Sequence, residues 1–140
     1  MNELEIEKNE KRNEKFIQEF KTWLKKQNLS TKTINKHISN MELYLNDYLP
    51  YYESETMEEG TSSVYSFLGD WFIRKCMWSS RSSIKETASS IKKFYKCMNE
   101  LGYIDKEKYE LVVFTIKENM EEFLENLDEY DTGESIWNYL

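Results

Sequence analysis

A chain of 140 residues is sized for a single domain with a workable core, and one proline and four glycines supply little of the punctuation a many-stranded sheet needs. No apolar run reaches the roughly 18 residues that span a bilayer, and the polar stretch 1–15 lacks the apolar segment of a signal peptide. With 26 acidic against 19 basic side chains the net charge is −7, which weighs against a nucleic-acid partner without removing it and makes the distribution of charge decisive.

Five helices are predicted from periodicity. In the first, Phe16, Ile17, Phe20, Trp23 and Leu24 form one apolar stripe that ends near Lys26. Residues 1–12 show no such stripe and are expected to be flexible. The second helix opens at Ser30 or Thr31, whose hydroxyl can accept from first-turn N–H groups, and carries Ile34, Ile38, Met41, Leu45 and Tyr48 inward. Pro50 is expected to stop it, because proline disfavours a helical residue before it. An acidic loop over 50–61 follows, closed by Gly60, and Thr61 or Ser62 is expected to cap the third helix with Val64, Phe67, Leu68, Trp71 and Phe72 buried. Trp78, seven residues after Trp71, is assigned to the same core unless the helix ends before it.

Ser79–Ser83 reads as a hydroxyl-rich turn into the fourth helix, with Ile84, Ala88, Ile91, Tyr95 and Met98 inward and Gly102 placed for a left-handed C′ residue. Asp105 can cap the fifth, where Tyr109, Val112, Val113, Ile116, Met120, Phe123, Leu124 and Leu127 make a long stripe. The expected organisation is one all-α domain over 1–130 and an acidic, partly apolar tail over 131–140 that includes Ile136, Trp137, Tyr139 and Leu140. Cys76 and Cys97 lie within apolar helical patterns and form no CxxC or Cys/His cluster, so both are expected reduced and buried, in a cytoplasmic protein.

The charge is unevenly placed. Residues 1–37 carry nine basic and six acidic groups, and residues 61–100 seven basic and three acidic. Residues 38–60 carry six acids and no Lys or Arg, and residues 101–140 eleven acids against three basic groups. Two locally basic stretches therefore stand apart from the acid. They are Phe16–Leu24 running through Leu29-Ser30-Thr31-Lys32-Thr33-Ile34, and Ser79-Ser80-Arg81-Ser82-Ser83-Ile84 followed by Ser89-Ser90-Ile91-Lys92-Lys93-Phe94-Tyr95 and Leu101-Gly102-Tyr103-Ile104.

In that order and separation these stretches resemble the N-terminal core-binding domain of tyrosine recombinases and phage integrases, a SAM-like helical module, over roughly residues 16–118. The resemblance implies a compact bundle of about five helices that grips double-stranded DNA while a separate domain cuts it. It implies DNA contacts from Thr31, Lys32, Thr33 and Lys36 on the second helix. On the fourth it implies contacts from Arg81, Ser82, Ser83, Lys85, Ser89, Lys92 and Lys96. Spacing agrees independently: Lys85, Ser89, Lys92 and Lys96 fall at i, i+4, i+7 and i+11 opposite the apolar face, and such groups make backbone phosphate contacts.

Catalysis finds no support in the chain. His37 is the one histidine and lies on a helix with no neighbouring acid in its N-terminal turns, so a Ser/His or Cys/His nucleophilic pair has little support. One His and two separated Cys make no zinc site, and no glycine-rich phosphate loop exists, so no metal or cofactor is expected. The recombinase chemistry needs an Arg–His–Tyr constellation with a His-x-x-Arg motif, and none of Arg12, Arg74 and Arg81 stands at that spacing from His37. Met1 is consistent with a natural start of a relative without its catalytic half. The rival expectation is a helical protein–protein adaptor that has lost DNA binding, its partner held by the acidic C-terminal region.

Overall fold

The computed structural model describes the backbone of residues 1–139 and side chains through Gly133, so the side chains of Glu134, Ile136, Trp137 and Tyr139, and Leu140 altogether, lie outside the described residues. Among the described residues the chain is all-helical, with five helices packed into one bundle and no strand. Helix α1 is Glu3–Lys25. Helix α2 begins as Thr31–Glu42 and continues without a break as the π-wound Leu43–Glu53. Helix α3 spans 64–75, with π-wound Phe67–Trp71 between short α-helical ends. Helices α4 (Arg81–Glu100) and α5 (Lys106–Tyr139) form the last hairpin.

The flexible start and the C-terminal tail expected from sequence are both helical. Asn2 caps α1 by accepting from the Glu5 N–H at 2.9 Å, and Glu3 and Glu5 complement the helix dipole. The stripe of α1 extends backwards through Asn13 and Asn9, which are 0% and 4% exposed. At the other end α5 runs on to Tyr139, so 131–139 continues a helix instead of leaving it.

Pro50 does not stop α2, and the reason lies in α1. Proline has no N–H to donate, and inside an α-helix its ring also strikes the carbonyl four residues back. Here the helix widens to the i→i+5 register, in which the carbonyl deprived of a donor by Pro50 is that of Leu45. Asn13 supplies the missing donor: its Nδ2 donates to the Leu45 carbonyl at 3.1 Å and to Asn46 Oδ1 at 2.9 Å. A second Asn ties a neighbouring helix to the π-wound turn of α3: Asn126 Nδ2 of α5 donates to the Gly69 carbonyl at 3.0 Å. The two wound segments then pack on each other through aromatic rings, with Tyr44, Tyr48 and Tyr52 stacked along α2 and edge-on or tilted against Phe67 and Trp71.

Helix α2 ends at Ser54, a residue in the left-handed region at φ 55°, so the expected acidic loop is shortened to 54–63 and contains the 3₁₀ turn Glu59–Ser62. Thr61 and Ser62 lie within that turn, and the residue preceding α3 is Ser63, whose hydroxyl donates to Glu55 and caps nothing. Gly60 is held close to the core: a Cβ there would meet Leu49 Cδ1 at 2.5 Å and the Tyr95 hydroxyl at 2.8 Å. That hydroxyl donates to the Met57 carbonyl at 2.8 Å, anchoring the turn to α4.

Most of the predicted apolar stripes are buried, including Ile34 and Met41 of α2, Val64, Phe67, Leu68, Trp71 and Phe72 of α3, and Ile84, Ala88, Ile91, Tyr95 and Met98 of α4, while Trp23, Ile38, Tyr109, Val113 and Met120 are half-buried. Helix α4 closes with both bonds of a Schellman motif, Tyr103 N–H to Met98 and Gly102 N–H to Asn99, with Gly102 at φ 83°. Asp105 caps α5 by accepting from Lys108 N–H at 2.9 Å. Cys76 and Cys97 are free and buried, and burial pushes their thiols up to about 11 and about 12. Trp71 is buried, but α3 ends at Lys75, so Trp78 is 61% exposed and does not join the core.

Asn13→Ala removes the substitute donor and leaves a buried carbonyl unpaired, so unfolding in urea should show a loss of about 1–3 kcal/mol. In a Pro50→Ala background, where the backbone can donate again, the same change should cost measurably less. Equal costs in both backgrounds would contradict the role assigned to Asn13.

Candidate nucleic-acid interface

Helices α2 and α4 lie side by side, and each is opened by a serine. Ser30 accepts from Thr33 N–H at 3.2 Å, which fixes the first turn of α2 and sets Lys32 and Lys36 one turn apart on its surface. Ser80 and Ser83 form a reciprocal capping box at the start of α4: Ser83 N–H donates to Ser80 Oγ at 3.0 Å and Ser80 N–H to Ser83 Oγ at 2.8 Å. Ser83 thus belongs to the cap, while Ser82 stays exposed.

The sequence-predicted residues divide into three groups. Lys32, Thr33, Lys36 and Ser89 come together around a cleft of about 400 Å³ between α2 and α4, with His37, Asn40 and Glu86 completing its lining. Lys85, Lys92 and Lys96 are exposed on the outer face of α4, in register with Ser89. Thr31, Arg81 and Ser82 stand at the helix starts, outside the cleft.

Ion pairing separates these cations further. Lys36 Nζ lies 2.7 Å from Glu86 Oε2 across the two helices, and Arg81 lies 2.8 Å from Asp128 of α5. Both pairs are about half exposed, so each contributes little to stability and is easily exchanged for another anion. Among the described residues Lys32, Lys85, Lys92, Lys93 and Lys96 make no ion pair within 4 Å. The arginines are all committed, Arg12 to Glu58, Arg74 to Asp70 and Arg81 to Asp128.

Sequence reasoning missed the centre of this interface. Ser90 is fully buried and its hydroxyl joins the two helices: Asn40 Nδ2 donates to it at 3.0 Å, His37 Nδ1 lies 2.7 Å away, and it donates to the Glu86 carbonyl at 3.1 Å. His37 is 9% exposed. Burial lowers its pKa, Lys93 lowers it further, and Glu86 opposes both. The acid absent from the N-terminal turns of the histidine's own helix is supplied by Glu86 of α4. A signal was present: Glu86, Ser90, Lys93 and Cys97 share one helical face between the apolar stripe and the lysine stripe.

Among the described residues no group of three His, Cys, Asp or Glu side chains could hold a metal ion, and no helix is long and apolar enough to cross a membrane. Comparison with protein families, with curated proteins and with solved structures finds no match.

Ser90→Ala should leave the Asn40 amide and the His37 Nδ1 without their shared partner. A destabilisation of about 1–3 kcal/mol in chemical denaturation is the expected result. A change below about 0.5 kcal/mol, the range of an ordinary surface substitution, would show that the hydroxyl does not join the helices.

Proposed function

We propose that this domain binds double-stranded DNA through its phosphate backbone, with α2 and α4 as the contact face, in the manner of a recombinase core-binding module. The observation that carries the reading is the set of lysines on that face, Lys32, Lys85, Lys92, Lys93 and Lys96, which make no ion pair among the described residues of a protein rich in acid. Lysine ammonium groups without a protein partner are free to replace condensed counterions on DNA. The hydroxyls of Thr33, Ser82 and Ser89 stand beside them and suit hydrogen bonding to phosphate oxygens. Direct base readout by arginine has no support here, because each of the arginines already holds a carboxylate. The chain is assigned positioning on DNA, and no bond-breaking step is assigned to its residues.

The acid is compatible with this arrangement. Its strongest concentration lies on α5 from Glu118 onward, where Asp128 is spent on Arg81 and Glu122 accepts the Tyr65 hydroxyl hydrogen at 2.5 Å. At physiological salt the Debye length is about 8 Å, so an acid as near as Asp128, 2.8 Å from Arg81, still acts on the start of α4.

A protein partner is the second reading, favoured by one observation. Met77 and Trp78 are 100% and 61% exposed on a turn braced by Ser79 Oγ donating to Ile73 O and Ser83 Oγ donating to Trp78 O. A rigid turn presenting two large apolar side chains suits a protein contact.

Fluorescence anisotropy with a 20-bp duplex at two salt concentrations tests the first reading. Affinity should fall steeply with salt, with a log–log slope near −0.9 per phosphate contacted. Exchanging Lys85, Lys92 and Lys96 for Glu should weaken binding by more than about tenfold and flatten the slope by about 3 while the helical circular dichroism is kept. Parent-like affinity and slope in that triple variant would exclude the outer face of α4 as the contact.

A further inference from the structure

The hydrogen bonds at Ser90 bear on the tautomer of His37. A serine hydroxyl has one hydrogen to donate. The Glu86 carbonyl, 3.1 Å from Ser90 Oγ, can only accept, whereas His37 Nδ1 donates or accepts according to its tautomer; the arrangement that gives the carbonyl its bond sends the hydrogen there. Asn40 Nδ2 already donates to the same oxygen at 3.0 Å. In that arrangement the remaining contact, His37 Nδ1 at 2.7 Å, runs from the ring to the hydroxyl, and the imidazole hydrogen sits on Nδ1. Nε2 is left as a bare lone pair with no protein partner among the described residues, on a side chain that is nine-tenths buried and lines the cleft.

A bare ring nitrogen in a cleft lined also by Lys32, Lys36 and the Lys36-paired Glu86 is mismatched to an anion until it carries a proton. Phosphate oxygens accept hydrogen bonds, so Nε2 becomes useful to them only as N–H. We propose that the α2–α4 cleft is a proton-coupled seat for a DNA phosphate, in which His37 takes a proton from solvent onto Nε2 as the phosphate enters beside Lys32 and Lys36. This rests on the DNA-binding reading above and adds its regulation.

The charges acting on His37 set the direction. From α4, Lys93 opposes protonation and Glu86 favours it, with Lys36 of the histidine's own helix partly neutralising Glu86; α1 contributes no charge to it. Burial and Lys93 hold the free ring neutral, and a phosphate in the cleft supplies the opposite charge that reverses the balance. A ring whose pKa is higher in the complex than in the free protein strengthens binding as pH falls. The gain begins near the bound-state pKa and is complete below the free-state value.

His37 is the single histidine, so its imidazole signals in NMR spectra are unambiguous. In the wild-type protein, long-range ¹H–¹⁵N spectra should show the Nδ1–H tautomer. Titration from pH 8 to pH 5 with and without a 20-bp duplex should show its pKa raised by about one unit in the complex. DNA affinity at fixed salt should rise by about tenfold over the same range, since one unit is a factor of ten. His37→Asn keeps a donor near the Nδ1 position and cannot titrate, so its affinity should be flat with pH. If that variant does not fold, the wild-type titration decides alone. An Nε2–H tautomer, an unmoved pKa, pH-independent binding, or the same pH dependence in His37→Asn overturns the inference and leaves the DNA reading standing. A shift produced by inorganic phosphate at matched ionic strength but not by the duplex overturns DNA as the source of the phosphate. No binding of the duplex at either pH removes the DNA reading, and this inference with it.

Discussion

The bond between Asn13 and the Leu45 carbonyl is the constraint on which the arrangement of α2 depends. A proline at position 50 would ordinarily end the helix there. Because a side chain from α1 takes the place of the missing N–H, the helix continues to Glu53 and carries Tyr44, Tyr48 and Tyr52 against Phe67 and Trp71 of α3. One buried amide therefore fixes α1 to α2 and, through the aromatic stack, α2 to α3. A second side-chain amide, Asn126, donates to the Gly69 carbonyl and ties α5 to the other wound turn. Buried polar groups cost several kcal/mol when unpaired, so these pairings select one packing over alternatives of similar apolar burial.

With α2 held in place, its other face meets α4 at Ser90. The apolar residues Ile34 and Met41 on one side and Ile84, Ile91 and Met98 on the other supply the burial, but they would tolerate small slides between the helices. The Ser90 hydroxyl, shared by His37, Asn40 and the Glu86 carbonyl, tolerates none. It joins three residues that line the cleft, His37, Asn40 and Glu86, and it holds Nδ1 of His37. Structural and functional demands meet in a single buried oxygen, with exposed ion pairs such as Lys36–Glu86 adding little energy and an exchangeable charge.

The five helices, their inward stripes and the caps at Ser30, Gly102 and Asp105 were legible in the sequence because each is written by local chemistry. What was not legible depends on partners distant in the chain. Asn9 and Asn13 are buried yet polar, so hydrophobic periodicity stopped at Phe16 and left residues 1–12 looking flexible. Pro50 read as a stop because its compensating donor lies 37 residues earlier in α1. Trp78 read as core by extension of a stripe that the end of α3 at Lys75 cuts short. Thr61 and Ser62 are as good cap residues as Ser63, and the 3₁₀ turn that contains them is set by Gly60 pressing on Leu49 and Tyr95. For the candidate site, the lysine stripes were visible but the His37–Ser90 contact was not, since it joins residues 53 apart.

The most direct measurement is a residue-by-residue map of amide shifts in ¹H–¹⁵N spectra as a short duplex is added at low salt. The changes should concentrate on residues 31–40 of α2 and 81–96 of α4, including Lys32, Lys36, Lys85, Lys92 and Lys96, with little change along α5 from Glu118 to Gly133. Changes confined to the Met77–Trp78 turn or spread along α5, or no changes at all, would contradict a DNA-binding face built from α2 and α4.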